Sequence, residues 1–112
     1  MIAVILEIYP TESGKEAFTA LSERLLSMIS SHQGLVSIER FQSLMDEHKL
    51  LSLSFWLSQE DVHRWQRHLQ QLFAEDPSSK ALIRHYRVRS AVVVSDRAGD
   101  QRQLDAYFAD LD

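Results

Sequence analysis

Residues 2–9 read IAVILEIY, and as a strand this segment is apolar on both sides. Ile2, Val4, Leu6 and Ile8 project one way, while Ala3, Ile5 and Tyr9 project the other. A sheet with one wet face alternates apolar and polar residues, and this segment does not. Two later segments share the property. In 49–57, KLLSLSFWL, Leu51, Leu53, Phe55 and Leu57 oppose Leu50 and Trp56; in 85–95, HYRVRSAVVVS, Val92 and Val94 oppose Ala91 and Val93. The sheet built from these strands must therefore be covered on both faces, and the chain has 112 residues with which to do it.

The rest of the sequence limits what can do the covering. After Pro10 and a polar turn, a helix is predicted from about Lys15 to His32, with Thr11 or Ser13 as its N-cap and Gly34 as its stop. Phe18, Leu21, Leu25, Met28 and Ile29 form one stripe along it. Residues 35–44, LVSIERFQSL, form a second strand in which Val36, Ile38, Arg40, Gln42 and Leu44 share one side. The polar turn Met45 to His48 joins it to the third strand as an antiparallel hairpin. Ser58 caps a second helix, with Asp61 three residues on and Val62, Trp65, Leu69, Leu72 and Phe73 on one face. Pro77 breaks that helix, residues 78–84 allow a short extra turn, and the fourth strand follows.

The order β-α-β-β-α-β is the split βαβ arrangement. The fold class is α+β and ferredoxin-like: a four-stranded antiparallel sheet with two helices on one face. Those helices leave the second face bare, and a large exposed apolar face marks an interface. Twofold self-association is the commonest way to supply a partner sheet, so a homodimer is expected. Residues 1–97 are read as the domain. Residues 98–112 are read as a polar tail whose end, LDAYFADL, has the pattern of a short docking helix.

Composition narrows the chemistry. The chain has no cysteine, so disulfides, thiol nucleophiles and thiolate metal sites are excluded. Its net charge of −4 gives no electrostatic reason to expect nucleic acid or an anionic membrane as a partner. The first apolar run is too short to span a bilayer and has no basic lead, so a cytoplasmic protein is expected. With three glycines there is no phosphate loop or dinucleotide fingerprint. No pair of histidines has metal-ligand spacing, so neither a metal nor another cofactor is expected.

The residues left to carry chemistry are aromatic or titratable. Trp56 closes the third strand, Trp65 lies on the inward stripe of the second helix and Tyr86 starts the fourth strand. Together they would wall an apolar pocket for a small apolar or aromatic ligand, or else they are core. His68, three residues after Trp65, is a candidate general base. Glu7 is a carboxylate in an otherwise apolar strand: either a proton acceptor or half of an ion pair with Arg40, Arg87 or Arg89.

The hairpin IERFQSL…KLLSLSFW, the segment SQEDVHRW and the strand HYRVRSAVVV resemble the antibiotic biosynthesis monooxygenase family of dimeric α+β-barrel proteins. The resemblance covers residues 1–97. Its most specific mark is Trp56 followed nine residues later by Trp65, with Tyr86 as the aromatic that opens the fourth strand. It implies a dimer with one pocket per subunit. It also implies oxygenation of an electron-rich aromatic, phenolic or quinol, often without metal or flavin. In the quinone-forming branch an asparagine stands four residues before the tryptophan of the third strand, and that position is Ser52 here; a tyrosine six residues after it is Val62. In the heme-degrading branch Trp65 fits, but the histidine position falls on Glu75 and the strand-one asparagine aligns near Glu7, so no heme-holding imidazole is expected. The resemblance thus implies a cofactor-independent monooxygenase, with Ser52 joining Trp56, Trp65 and Tyr86 around the substrate. The competing reading is a binding or dimeric interaction module of the same fold.

Overall fold

A computed structural model describes residues 1–109. Four strands, β1 (Ile2–Pro10), β2 (Leu35–Gln42), β3 (Leu50–Trp56) and β4 (Ile83–Val92), form one antiparallel sheet in the order β2-β3-β1-β4. Helix α1 (Lys15–Ser30) connects β1 to β2, and α2 (Gln59–Glu75) with the short α3 (Pro77–Lys80) connects β3 to β4. This is the ferredoxin-like arrangement expected from the element order.

The local signals that start and stop these elements are partly those of the sequence. The Ser58 hydroxyl accepts the Asp61 backbone N–H at 3.2 Å and donates to Asp61 Oδ2 at 2.8 Å, which opens α2. Neither Thr11 nor Ser13 caps α1. A 3-10 turn, Glu12–Gly14, leads into it, and no side chain caps its first turn. Gly34 does not stop α1 either, since the helix ends at Ser30. Its φ of +87° makes a tight turn into β2, and any Cβ there would collide with the Asp61 side chain. His32 consequently lies beyond the helix rather than in its last turn.

Cross-strand pairing fixes the faces. Ile2 pairs with Trp56 and Val92, Val4 with Ser54, Leu6 with Ser52 and Ile8 with Leu50 and Tyr86. The helices cover this side, where Ile29, Val62 and Trp65 pack with Trp56 among Ile2, Val4, Leu26, Leu35, Ile38 and Leu69. A bulge between Leu35 and Ser37 turns both Leu35 and Ile38 toward the helices, and Val36 is left half exposed. Strict alternation had grouped Val36 with Ile38. Ala3, Ile5, Leu51, Leu53 and Phe55 lie on the opposite side of the sheet, which no helix covers.

After β4 the chain leaves the body. It forms a 3-10 turn, Gln101–Gln103, and a short helix, α4 (Leu104–Ala109), whose Leu104, Tyr107 and Phe108 are all exposed. The radius of gyration, 16.6 Å, exceeds the roughly 13 Å of a compact chain this long because of that extension. The rest of the expected docking segment, residues 110–112, lies outside the described residues.

Candidate functional site

The helix-facing side of the sheet differs from one end to the other. Along β3 that side reads Leu50, Ser52, Ser54, Trp56. At the Trp56 end the space is filled. Trp56 is 0% exposed, its Nε1 donates to Ser54 Oγ at 2.9 Å, and Trp65 is nearly as buried. The His32 ring stands edge-on to Trp65 with centroids 5.2 Å apart, and 5.7 Å from the ring of His68. His68 in turn meets Trp65 edge-on at 5.7 Å. His32 Nδ1 is buried with no hydrogen-bond partner among the described residues.

The tryptophans therefore occupy the volume that they were expected to enclose. Tyr86 does not join them. It pairs with Ile8 whereas Trp56 pairs with Ile2, about 20 Å away along β1 at roughly 3.3 Å per residue. Its side chain is 62% exposed, so a Trp56/Trp65/Tyr86 pocket does not form within one subunit. His68 is exposed at the rim of the tryptophan cluster.

Glu7 lies on the uncovered side. Lys49 Nζ approaches it at 3.3 Å and Arg89 at 3.4 Å, while Arg40 is on the other face. Partial burial pushes the Glu7 carboxyl up, but Lys49, Arg89 and Arg87 together outweigh it and hold the group below its ordinary value. That environment favours a charged structural carboxylate over one that exchanges a proton near neutrality.

The open space lies at the other end. A cleft of about 310 Å³ runs between α1 and the β2–β3 hairpin. Ile8, Phe18 and Leu50 give it an apolar wall. Thr19, Ser22, Glu23, Arg40, Gln42 and Ser52 supply its polar groups. Ser52 stands where a larger side chain would reach into this space. An adjoining hollow of about 210 Å³ shares Phe18, Thr19, Gln42 and Leu50 and continues toward His48 in the hairpin turn. Arg40 pairs with Ser52 across the hairpin. Its Nη1 donates to the Ser22 hydroxyl, and its Nη2 meets Glu23 Oε1 only at 3.5 Å. Of the side chains expected to bind substrate, Ser52 opens on this cleft and Trp56, Trp65 and Tyr86 do not; nor do His68 and Glu7, the candidate proton acceptors. Gln42 and Phe18 had no binding role expected from the sequence, and Arg40 was expected only as a partner of Glu7. The available signal was an arginine sharing a strand side with Ile38.

Among the described residues, no three His, Cys, Asp or Glu side chains are grouped so as to hold a metal ion, and no helix is long and apolar enough to cross a membrane.

Comparison with known proteins bears on the fold and the family. The profile of the family described as antibiotic biosynthesis monooxygenase matches residues 1–76. A jasmonate monooxygenase of Pyricularia oryzae is 24% identical over 110 residues, covering 97% of this chain and 51% of the fungal protein. The chain thus spans about half the length of that curated relative. Rv0793 from Mycobacterium tuberculosis superposes with a TM-score of 0.72 at 18% identity, over 87% of this chain and 98% of its own. SnoaB, a cofactor-independent oxygenase from Streptomyces nogalater whose structure is of a mutant form, does so with a TM-score of 0.69 at 10% identity, over 85% and 94%.

Proposed function

Because this chain belongs to the antibiotic biosynthesis monooxygenase family, we propose that it oxygenates a small, mostly apolar molecule, phenolic or similarly electron-rich, bound in the cleft between α1 and the β2–β3 hairpin. The observation that carries this reading is the position of Ser52. It opens on a cleft of about 310 Å³ that has one apolar wall and several polar groups, the usual character of a small-molecule site.

The reaction balances without an added reductant. A phenol and dioxygen give a para-quinone and water. One oxygen atom replaces the ring hydrogen opposite the hydroxyl, the other leaves as water with the two hydrogens removed, and the substrate supplies the electrons. Phe18, Ile8 and Leu50 would hold the ring and exclude water. Arg40 and Ser52 would orient a polar substituent, and a nearby cation makes a bound oxyanion easier to form.

Oxygen uptake with a panel of phenols and quinols, without added metal or flavin, tests the proposal. Uptake above the uncatalysed rate is expected with at least one member. Absence of uptake across the panel, with binding retained, would replace the enzyme by a binding module. His68→Ala and Glu7→Gln are expected to leave uptake near the unaltered rate, because neither side chain opens on the cleft. A loss of about 10²–10⁴-fold in either, the usual worth of a general base, would move the reaction away from it.

The same reading includes a homodimer built on the uncovered sheet face. Solution scattering should give about twice the 13.0 kDa chain mass. Leu53→Asp, which puts a charge at the centre of that face, should return it to the monomer mass. A monomer from the unaltered chain at micromolar concentration would defeat this part of the proposal.

A further inference from the structure

From the surroundings of Arg40 we infer that the ligand of this cleft carries a carboxylate, or a like-charged anionic group, at one end of an apolar body. The inference rests on the cleft being the ligand site, as proposed above. Arg40 stands on the helix-facing side of β2, which it shares with Leu35, Ile38 and Gln42 and where a permanent charge has a cost unless it is used or compensated. Its side chain is 34% exposed, so the guanidinium is partly withdrawn from water yet open to the cleft.

The compensation present in the protein is incomplete. A guanidinium has five N–H donors in a planar fork. Two are engaged here, one by the neutral Ser22 hydroxyl and one by Glu23 at 3.5 Å, the outer limit of a hydrogen bond. Glu23 is itself 68% exposed, so it holds its place against water weakly. A carboxylate entering the cleft would meet the fork with two parallel bonds, in a less hydrated setting than Glu23 occupies. Ser52 and Gln42 lie beside that position and can orient the group.

The apolar part of the ligand has its own place. Ile8 and Leu50 on the sheet and Phe18 on α1 give the cleft its apolar surface, while the adjoining hollow, which shares Phe18 and Leu50, is otherwise bordered largely by polar and charged side chains such as Glu12, Lys15 and Glu47. The cleft suits a molecule with its anionic head at Arg40 and its apolar body against Ile8, Phe18 and Leu50. A compact, uncharged aromatic would use the apolar wall and leave the guanidinium with its weak surface partner.

Equilibrium binding, independent of turnover, tests this. The probes are 4-phenylbutanoic acid and its methyl ester, titrated by calorimetry into the unaltered protein, Arg40→Gln, Arg40→Lys and Glu23→Gln. The acid is expected to bind the unaltered protein about tenfold or more tightly than the ester, the usual worth of a charge-assisted hydrogen bond. Arg40→Gln should erase that preference. Arg40→Lys should keep part of it, because the charge survives but the fork does not. Glu23→Gln should strengthen acid binding by removing the competing carboxylate. Urea unfolding of each variant checks that the fold is retained, and Arg40→Lys gives an independent reading if Arg40→Gln fails to fold. Equal affinity for acid and ester, or an acid preference that survives Arg40→Gln, would overturn the inference and leave the cleft as a ligand site. Binding of neither probe would overturn both. Acid binding without oxygen uptake on any substrate would overturn only the proposed activity.

Discussion

The two ends of the helix–sheet interface use the same backbone plan and reach opposite results. At one end Trp56, Trp65, Ile29 and Val62 close the space completely. At the other, Leu50, Ser52, Phe18 and Ser22 leave a cleft. Large aromatic side chains are poor indicators of a pocket in a domain this small, because they are needed to fill its modest core. A run of small polar residues on the inward side of a strand is the better indicator, since it marks where the chain gives up volume.

Truncation at the sealed end should have the largest effect. Trp56→Ala removes the most deeply buried side chain and strands the Ser54 hydroxyl, so it should lower unfolding free energy by about 3–5 kcal/mol in urea titrations. A loss below about 1 kcal/mol accompanied by loss of ligand binding would mean that Trp56 lines a site after all.

The turn that seats the sealed end is the next point of attack. Gly34→Ala must adopt a positive φ and displace Asp61, which bonds the Ser58 cap of α2 and pairs with Arg64 at 2.7 Å. It should cost about 1–3 kcal/mol, and thermal melts should show this without a change in ligand affinity at temperatures where the fold is intact. Equal weakening of ligand binding would mean that the two ends are coupled.

At the open end the pattern reverses. Ser52→Leu should fill the cleft and weaken ligand binding by about tenfold, while changing stability by less than about 1 kcal/mol because free space is available. A destabilisation as large as that of Trp56→Ala would mean that the cleft closes in solution.

Acid should act on the frame more than on the cleft. Hydrogen bonds from Ser78, Ser79 and Arg24 hold Asp76 far below the usual carboxylate range, and Ser58 and Arg64 lower Asp61. Groups depressed in the folded state contribute stability above their ordinary values, 3.8 for Asp and 4.5 for Glu7. That contribution is lost as pH falls below those values. Melting temperature should therefore hold from neutrality to about pH 5 and decline below about 4, and Asp76→Asn should flatten the decline. An unchanged profile in Asp76→Asn would remove Asp76 from the account.

Much of the fold was legible because its signals are local. Apolar spacing marks α1 and α2, Ser58 marks a helix start, and Pro77 marks a break, each through contacts within a few residues. The candidate site was legible only in part. Resemblance pointed to Ser52, which does open on the cleft, whereas the aromatic trio rested on residue type and did not anticipate that Tyr86 pairs far along β1 from Trp56. Glu7 was correctly set among cations, but Lys49 was not among those considered, because its approach depends on the hairpin register.

By itself the sequence determined the order of elements and the need to cover both sides of the sheet, since both are properties of spacing along one chain. It left undecided which side the helices take, because β1 is apolar on both. Tertiary structure decided that through the cross-strand register and through the bulge at Val36, which lets Leu35 and Ile38 face the same helices. The cleft was decided at the same level. Whether Ser52 and Arg40 border an empty volume depends on how α1 packs against the sheet, which spacing along the chain does not fix.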